Sequence, residues 1–307
     1  MPPLFVVGCH RSGTTLLRRI LCTHPEVWLA RETQYLAALP LSADAWHRDR
    51  SDDALREHLD WVAPFLRATG WVATPSVPAF LASDAPRTWA GAYAWLCGLE
   101  RPRPAAWWGD NTPRYVSLVP QLEQGFPGAR YLHLVRDPRD VVRSALAVPF
   151  GGNTALTAAE EWVERVGAGL AAAQLVGDRL LCVRYEDLVT APGPVLARIA
   201  AWLGIDDAFR PDDLGGDAAS VASQAHLARV AQPLDGSRVG QWRQALSEAE
   251  VADVEQLCQP FLAAFGYEGV AWRPAWDPTP RFARYARGYA RSLAVNLARG
   301  ARRRLGR

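Results

Sequence analysis

The chain has 307 residues, of which 49% are hydrophobic and 10% aromatic, so it can bury one sizeable core and does not have a disordered or fibrous composition. Its net charge is +2, and all 34 basic residues are arginines because the sequence contains no lysine. Nine arginines and no acidic residue lie in residues 281–307, which leaves the preceding chain mildly acidic and argues against a broadly basic, nucleic-acid-binding body.

The start of the chain predicts a cytoplasmic protein. The apolar run LFVV at residues 4–7 follows Met1-Pro-Pro directly, without the charged region, long apolar region or small-residue cleavage site of a secretory signal. The five cysteines are odd in number and form no CxxC pair. This pattern predicts reduced thiols rather than a disulfide framework or a zinc site.

Short apolar runs that are followed by helical patterns recur along the chain. These pairs of predicted strand and helix are residues 4–7 with 14–22, 130–135 with 140–147, and 179–184 with 194–203. Alternating strands and helices predict an α/β fold with a parallel sheet flanked by helices. Ligands of such sheets bind beyond the carboxyl ends of the strands, so we expect the functional residues just after each strand.

Two regions depart from this alternation. Residues 36–108 contain helical segments broken by prolines and seven of the 13 tryptophans, which predicts an inserted helical cap whose aromatics line an acceptor pocket or simply form core. Residues 276–307 predict a basic amphipathic C-terminal helix, suited to an anionic membrane surface, an acidic partner or terminal packing. We therefore expect one domain over 1–275, with the cap inserted, and a separate terminal helix.

A glycine-rich loop with the G-x4-G spacing of a phosphate-binding loop follows the first predicted strand. It covers residues 8–15 (GCHRSGTT) and opens the first predicted helix, where free backbone N–H groups and the helix dipole favour an anion. In P-loop proteins a lysine follows the second glycine, and here that position is Thr14, with Arg11 earlier in the loop. The fold is thus P-loop-like, but a P-loop nucleotide or small-molecule kinase, the alternative class, would lack its principal charge.

With RSGTT in full, the chain resembles the sulfotransferases that use 3′-phosphoadenosine 5′-phosphosulfate (PAPS), especially the bacterial members and the tyrosylprotein sulfotransferases. The resemblance continues through the segments RDPRDVVRS at 136–144, RYEDL at 184–188, VGQWR at 239–243 and FGYE at 265–268. It implies an enzyme that transfers a sulfuryl group from PAPS to a hydroxyl or amine, without a required metal, and releases 3′-phosphoadenosine 5′-phosphate (PAP).

The resemblance also implies which residues bind the donor. The loop would cradle the 5′-phosphosulfate, Arg136 and Ser144 would hold the 3′-phosphate, and Tyr185 would lie near the adenine. Arg238 is a candidate 3′-phosphate contact, because Gln241 stands where many relatives have lysine. The implied donor-binding set is Arg11, Ser12, Gly13, Thr14, Thr15, Arg136, Ser144, Tyr185 and Arg238. Arginine forks and hydroxyl donors suit phosphate groups.

Sulfuryl transfer also needs a base for the acceptor proton. The segment HPEVWLARET resembles the part of tyrosylprotein sulfotransferases in which a glutamate before threonine takes this proton, and that position is Glu32. Arg31 could instead hold Glu32 in a structural ion pair. His10 is the rival base or a contact to the sulfuryl group, and Asp110 is a spare base or a helix cap. Arg11 is expected to neutralise charge on the bridging oxygen.

One position departs from the family pattern. The segment GDNTPR resembles the K-T-P segment whose lysine contacts the donor and the transition state, and here the lysine position is Asn111. An amide brings no charge, so Arg114 or His10 compensates, or the rate is low, and a non-catalytic protein with a PAPS-binding fold stays open. The tryptophan-rich cap favours a small-molecule or lipid-like acceptor, whose identity, like the oligomeric state, the sequence does not determine.

Overall fold

The described part of the chain forms a parallel β-sheet covered by helices. A computed structural model describes residues 2–39, 45–71, 73, 75–148, 154–213, 234 and 236–269. The strands are β1 Leu4–Gly8, β2 Val27–Ala30, β3 Trp107–Asp110, β4 Arg130–Val135 and β5 Leu180–Arg184. They lie in the order β2-β3-β1-β4-β5 with every pairing parallel, which confirms the predicted α/β class.

The helices pack on both faces of this sheet. They are α1 Thr14–Leu21, α2 Asp52–Ala68, α3 Val77–Leu81, α4 Trp89–Gly98, α5 Val119–Gly125, α6 Pro138–Leu146, α7 Ala155–Val176, α8 Tyr185–Thr190, α9 Pro192–Leu203, α10 Trp242–Ala245 and α11 Glu248–Leu262. Short 3₁₀ helices cover Tyr35–Ala38, Pro113–Leu118, Gly177–Arg179, Gly236–Arg238 and Ala263–Phe265. Within the described residues, no helix is long and apolar enough to cross a membrane. The predicted basic helix at 276–307 lies outside the described residues.

The first strand is central because all five of its residues are buried and it pairs on both edges. It ends at Gly8, whose φ is +152° and where a Cβ would lie 2.5 Å from the Leu134 carbonyl oxygen. Only glycine lets the chain leave the sheet so close to β4. The loop that follows therefore begins at the middle of the carboxyl edge.

Two strands were missed by the sequence reasoning. β2 and β3 have four residues each, VWLA and WWGD, too few to show a period and, in β3, of weak strand composition. They add to the sheet beside β1, and their carboxyl ends carry Glu32 and Asn111.

The helices α2, α3 and α4 fall between β2 and β3, within the range where the helical cap was predicted. Trp46, Trp71 and Trp89 are buried in one hydrophobic cluster that also contains Phe5 of β1. These three tryptophans form core, the simpler of the two roles that the sequence left open, whereas Trp61 is 49% exposed.

Candidate functional site

The glycine-rich loop crosses from β1 to α1 with two residues in the left-handed region. Arg11 has a φ of +68° and Gly13 a φ of +99°. A Cβ at Gly13 would lie 2.6 Å from Cδ2 of Tyr185, so the tyrosine ring packs directly on the loop. The two predicted donor segments, the loop and the start of α8, are therefore in contact.

A set of arginines meets at this loop. Nε of Arg11 donates to Oγ of Ser144 at 3.1 Å. The guanidinium of Arg136 lies 4.2 Å from the centroid of the Tyr185 ring, and its Nη2 donates to the Arg238 carbonyl oxygen at 2.8 Å. The structure thus brings together five of the predicted donor residues, which come from four separate segments of the chain.

The electrostatics of this cluster suit an anion. Burial lowers the pKa of Arg11, and the positive charges of Arg238, Arg136 and Arg143 lower it further. The hydroxyl of Ser12 is buried and has no hydrogen-bond partner within the described residues. Like charges held together and an unused buried donor are both stabilised when an anion binds between them.

The two arginines of the RDPRD segment have different surroundings. Arg139 forms ion pairs of 2.7 Å with both Asp137 and Glu255, and it donates to the Glu268 carbonyl oxygen at 2.8 Å. Asp137 in turn caps α6 by accepting from the backbone N–H of Arg139. Arg139 therefore joins α6 to α11, while Arg136 faces the loop.

Asp140 was not predicted as a functional residue, yet it holds one edge of the cluster. It is fully buried, and its two carboxylate oxygens accept from the backbone N–H groups of Gly240 and Trp242 at 2.7 and 2.9 Å. These bonds fix the segment that carries Arg238 against α6. Beside this segment, a cavity of about 430 Å³ is lined by Arg143, Ser237, Val239, Gly240, Gln241, Gln244 and Ala245.

Glu32 follows β2 and is partly buried at the carboxyl edge of the sheet. Burial raises the pKa of its carboxyl, while the charge of His10, a weak 3.5 Å contact from the Gln34 amide and the charge of Arg11 lower it, and the net effect is a rise. Arg31, the alternative partner, forms an ion pair of 3.9 Å with Glu100. The two charged groups that lower the Glu32 pKa, His10 and Arg11, both belong to the phosphate loop.

His10 is paired with Glu161 of α7, a residue that the sequence reasoning missed. Nδ1 of His10 lies 2.9 Å from Oε1 of Glu161. Burial lowers the pKa of His10, but the bond to Glu161 and the negative charges of Glu32 and Glu161 outweigh it and raise the pKa overall. The same bond lowers the pKa of Glu161.

Asp110, the spare candidate base, lies in a closed network. It is fully buried at the end of β3 and accepts hydrogen bonds from the Thr33 hydroxyl and from both the backbone and the hydroxyl of Thr112. Burial raises its pKa to about 6. Its bond to the Thr112 N–H closes the turn before the 3₁₀ helix Pro113–Leu118. This role is close to that of a helix cap, one of the two roles predicted for Asp110.

Asn111 is 1% exposed, and its side-chain oxygen has no hydrogen-bond partner within the described residues. The position that carries a lysine in the resembled segment thus contributes no charge. Arg114, one of the two predicted compensators, is partly buried and lowers the pKa of Glu161 through its charge.

Comparisons with known proteins give a consistent result. The model described as "Sulfotransferase family" matches residues 2–209. Protein-tyrosine sulfotransferase A of Caenorhabditis elegans is 25% identical over 285 residues, which are 87% of this chain and 67% of that protein.

Two solved structures have similar folds. The sulfotransferase domain from the curacin biosynthetic pathway has a TM-score of 0.59 and 21% identity over 87% of this chain and 99% of that one. The sulfotransferase domain of the Synechococcus PCC 7002 olefin synthase has a TM-score of 0.55 and 28% identity over 87% of this chain and 95% of that one.

Proposed function

The chain belongs to the sulfotransferase family, and from this premise we propose that it is an enzyme that transfers a sulfuryl group from PAPS to an acceptor hydroxyl or amine. The observation that carries the choice of donor is the arginine cluster, in which Arg11, Ser144, Arg136 and Arg238 meet around one loop. PAPS has anionic groups at the 5′ and 3′ positions of its ribose, whereas ATP lacks a 3′-phosphate. A cluster with arginines on the loop, just before α6 and at the Gly236–Arg238 turn fits the former.

The assignment of groups follows from their positions. The loop residues Arg11 to Thr15 would hold the 5′-phosphosulfate with backbone N–H groups and with the buried Ser12 hydroxyl. Arg136, Ser144 and Arg238 would hold the 3′-phosphate, and the Tyr185 ring would lie on the nucleoside side of the loop. Arg136 and Tyr185 are buried and stacked on each other, so they cost little reorganisation when the donor binds.

Catalysis in this scheme depends on position and charge. Glu32 accepts the acceptor proton, and its raised pKa makes it a stronger base than an exposed carboxylate. Arg11 neutralises the charge that develops on the bridging oxygen as the sulfur–oxygen bond breaks. The acceptor oxygen attacks in line, the proton passes to Glu32, and PAP leaves.

The acceptor has two candidate classes. The cap tryptophans favoured a small-molecule or lipid-like acceptor at the sequence level, but Trp46, Trp71 and Trp89 are used in the core. The relatives named protein-tyrosine sulfotransferases favour a tyrosine in a protein segment instead. An assay with PAPS and either a tyrosine peptide or a simple phenol distinguishes the two acceptor classes. Sulfation of the peptide supports a protein acceptor, and sulfation of the phenol alone supports a small-molecule acceptor.

The donor is tested by calorimetric titration of the protein with PAP and with ADP, each with and without Mg²⁺. We expect PAP to bind at least about 100-fold more tightly than ADP and without a metal requirement, because hydrogen bonds to a charged group contribute about 1.5–3 kcal/mol each. A preference for ADP with Mg²⁺ would overturn the proposal in favour of a P-loop kinase.

A further inference from the structure

The acceptor side of the site lacks a cation where the resembled segment has one. Asn111 is buried and uncharged, and its side-chain oxygen has no partner within the described residues. Negative charge grows on the sulfuryl oxygens and the leaving phosphate during transfer, so a fixed positive group near them would lower the barrier. The two candidates for that charge are His10 and Arg114, and Arg114 acts on Glu161.

His10 has the geometry for this role. It precedes Arg11 in the loop, and Glu161 of α7 binds its Nδ1 at 2.9 Å. Within the described residues, the ring has no second hydrogen bond, so Nε2 is the nitrogen left for a ligand. A carboxylate at one imidazole nitrogen fixes the ring orientation and stabilises the protonated form.

The charges that face His10 come from three directions. Glu161 and Arg165 lie on α7, Glu32 follows β2, and Arg11 is the next residue of the loop. Arg165 is engaged with Ser117 at 2.7 Å and with Glu164 at 3.0 Å and lies 4.0 Å from Oε1 of Glu161, and Arg114 also acts on Glu161. The two carboxylates outweigh these cations at the imidazole, because the net shift favours its protonated form.

We propose that Glu161 is a positioning residue that holds His10 as an imidazolium, whose Nε2–H donates to the transferring sulfuryl group in place of the missing lysine. This inference rests on the proposed sulfuryl transfer. The proton stays on His10 throughout, and the acceptor proton goes to Glu32. A neutral His10 acting as the base would give the site two proton acceptors and no cation beside Asn111.

The two roles of His10 differ in their pH dependence. An imidazolium donor is lost as the pH rises through the His10 pKa, so it produces a descending limb in kcat. A base is gained over the same interval and produces an ascending limb. Removing the Glu161 charge lowers the His10 pKa in either case, and the limb that moves identifies the role.

The experiment compares Glu161→Gln with the matched control Glu164→Gln, which changes an exposed glutamate on the same helix. For Glu161→Gln we expect the NMR titration of the His10 ring to move to lower pH and the descending limb of kcat to move with it. At a pH between the limb of the variant and that of the wild type, the variant kcat should be about 10-fold below the wild-type kcat. The affinity for PAP should change less than about 2-fold. Glu164→Gln should leave the descending limb in place.

A His10→Asn variant completes the test. It should lose the descending limb, and adding Glu161→Gln to it should cause no further loss of kcat. An ascending limb that moves, or an equal further loss in the double variant, would overturn the inference. A wild-type protein that transfers no sulfuryl group from PAPS would instead overturn the proposed function and the inference with it.

Discussion

The donor side and the acceptor side of this site are built from opposite charges. On the donor side, burial and the nearby positive charges of Arg238 and Arg136 lower the pKa of Arg11. On the acceptor side, Glu32 and Asp110 have raised pKa values because burial disfavours their negative charge. The donor side is therefore arranged to receive an anion, and the acceptor side is arranged to receive a proton.

The two sides also differ in what they leave unused. The acceptor side contains the Asp110 network, in which Thr33, Thr112 and Tyr115 satisfy one another. The Asn111 oxygen on this side has no partner within the described residues, but it is an acceptor, not a donor. The donor side leaves the Ser12 hydroxyl and Nε of Arg136 buried without partners in the described part of the chain. Such buried, unpartnered donors destabilise the empty fold and gain the most from a bound ligand.

The largest effect should come from the acceptor side. Replacing Glu32 with Gln removes the proton acceptor, so we expect kcat to fall by about 10²-fold or more. PAP affinity should be unchanged or slightly higher, because a negative charge beside Arg11 is lost. Single-turnover kinetics and calorimetry measure the two quantities, with Glu26→Gln, an exposed glutamate before β2, as the control.

The pH dependence sharpens this prediction. Glu32 acts as the carboxylate, so the wild-type kcat should rise with pH through a pKa above the ordinary glutamate value. Glu32→Gln should lack this ascending limb. A variant that keeps both its turnover and the limb would move the base to His10 or Asp110.

The next effect separates the two arginines of one segment. Arg136→Ala should weaken PAP binding by about 10- to 100-fold and leave ADP binding nearly unchanged, because it removes hydrogen bonds to a charged phosphate. Arg139→Ala should instead lower the free energy of unfolding by about 3–5 kcal/mol, since Asp137 and Glu255 would stay buried without their cation. Equal losses of PAP and ADP affinity in Arg136→Ala would contradict the 3′-phosphate assignment.

The same contrast explains what could be predicted from the sequence. The donor side could be proposed from the sequence because its motifs are local: a glycine-rich turn after a strand, and a segment resembling the family's, with an arginine and a serine eight residues apart. The structure brings Arg11, Arg136, Ser144, Tyr185 and Arg238 together, and their binding of the donor stays a prediction.

The acceptor side was less predictable because no sequence motif marks its short strands or the partner of His10. Strands β2 and β3 are too short to show a period, and Glu161 lies in an alanine-rich helical stretch with no motif around it. Its pairing with His10 spans 151 residues of sequence and is visible only after folding. On the donor side, Asp140 lies in the RDPRDVVRS segment. Its role could not be predicted, because it depends on contacts with the backbone of Gly240 and Trp242.

The smallest expected effect tests how the donor side is held. Asp140→Asn leaves one oxygen to accept a backbone N–H but turns an NH₂ group toward the other, so the segment carrying Arg238 should loosen. We expect PAP affinity to fall about 5- to 10-fold, the scale of one ordinary hydrogen bond, because the phosphate contact is loosened and not removed. Calorimetry with PAP measures this loss, and thermal unfolding monitors the fold.

A double-mutant cycle decides whether Asp140 acts through Arg238. If Asp140 serves to place that side chain, Asp140→Asn should cost little PAP affinity once Arg238 is alanine, because nothing remains to be placed. Losses that multiply in the double variant would instead assign the effect to Arg136, whose Nη2 lies 3.9 Å from Oδ2 of Asp140. The donor side would then depend on the Arg136–Asp140 charge pair, and the Arg238 segment would be a neighbour of the phosphate site without being part of it.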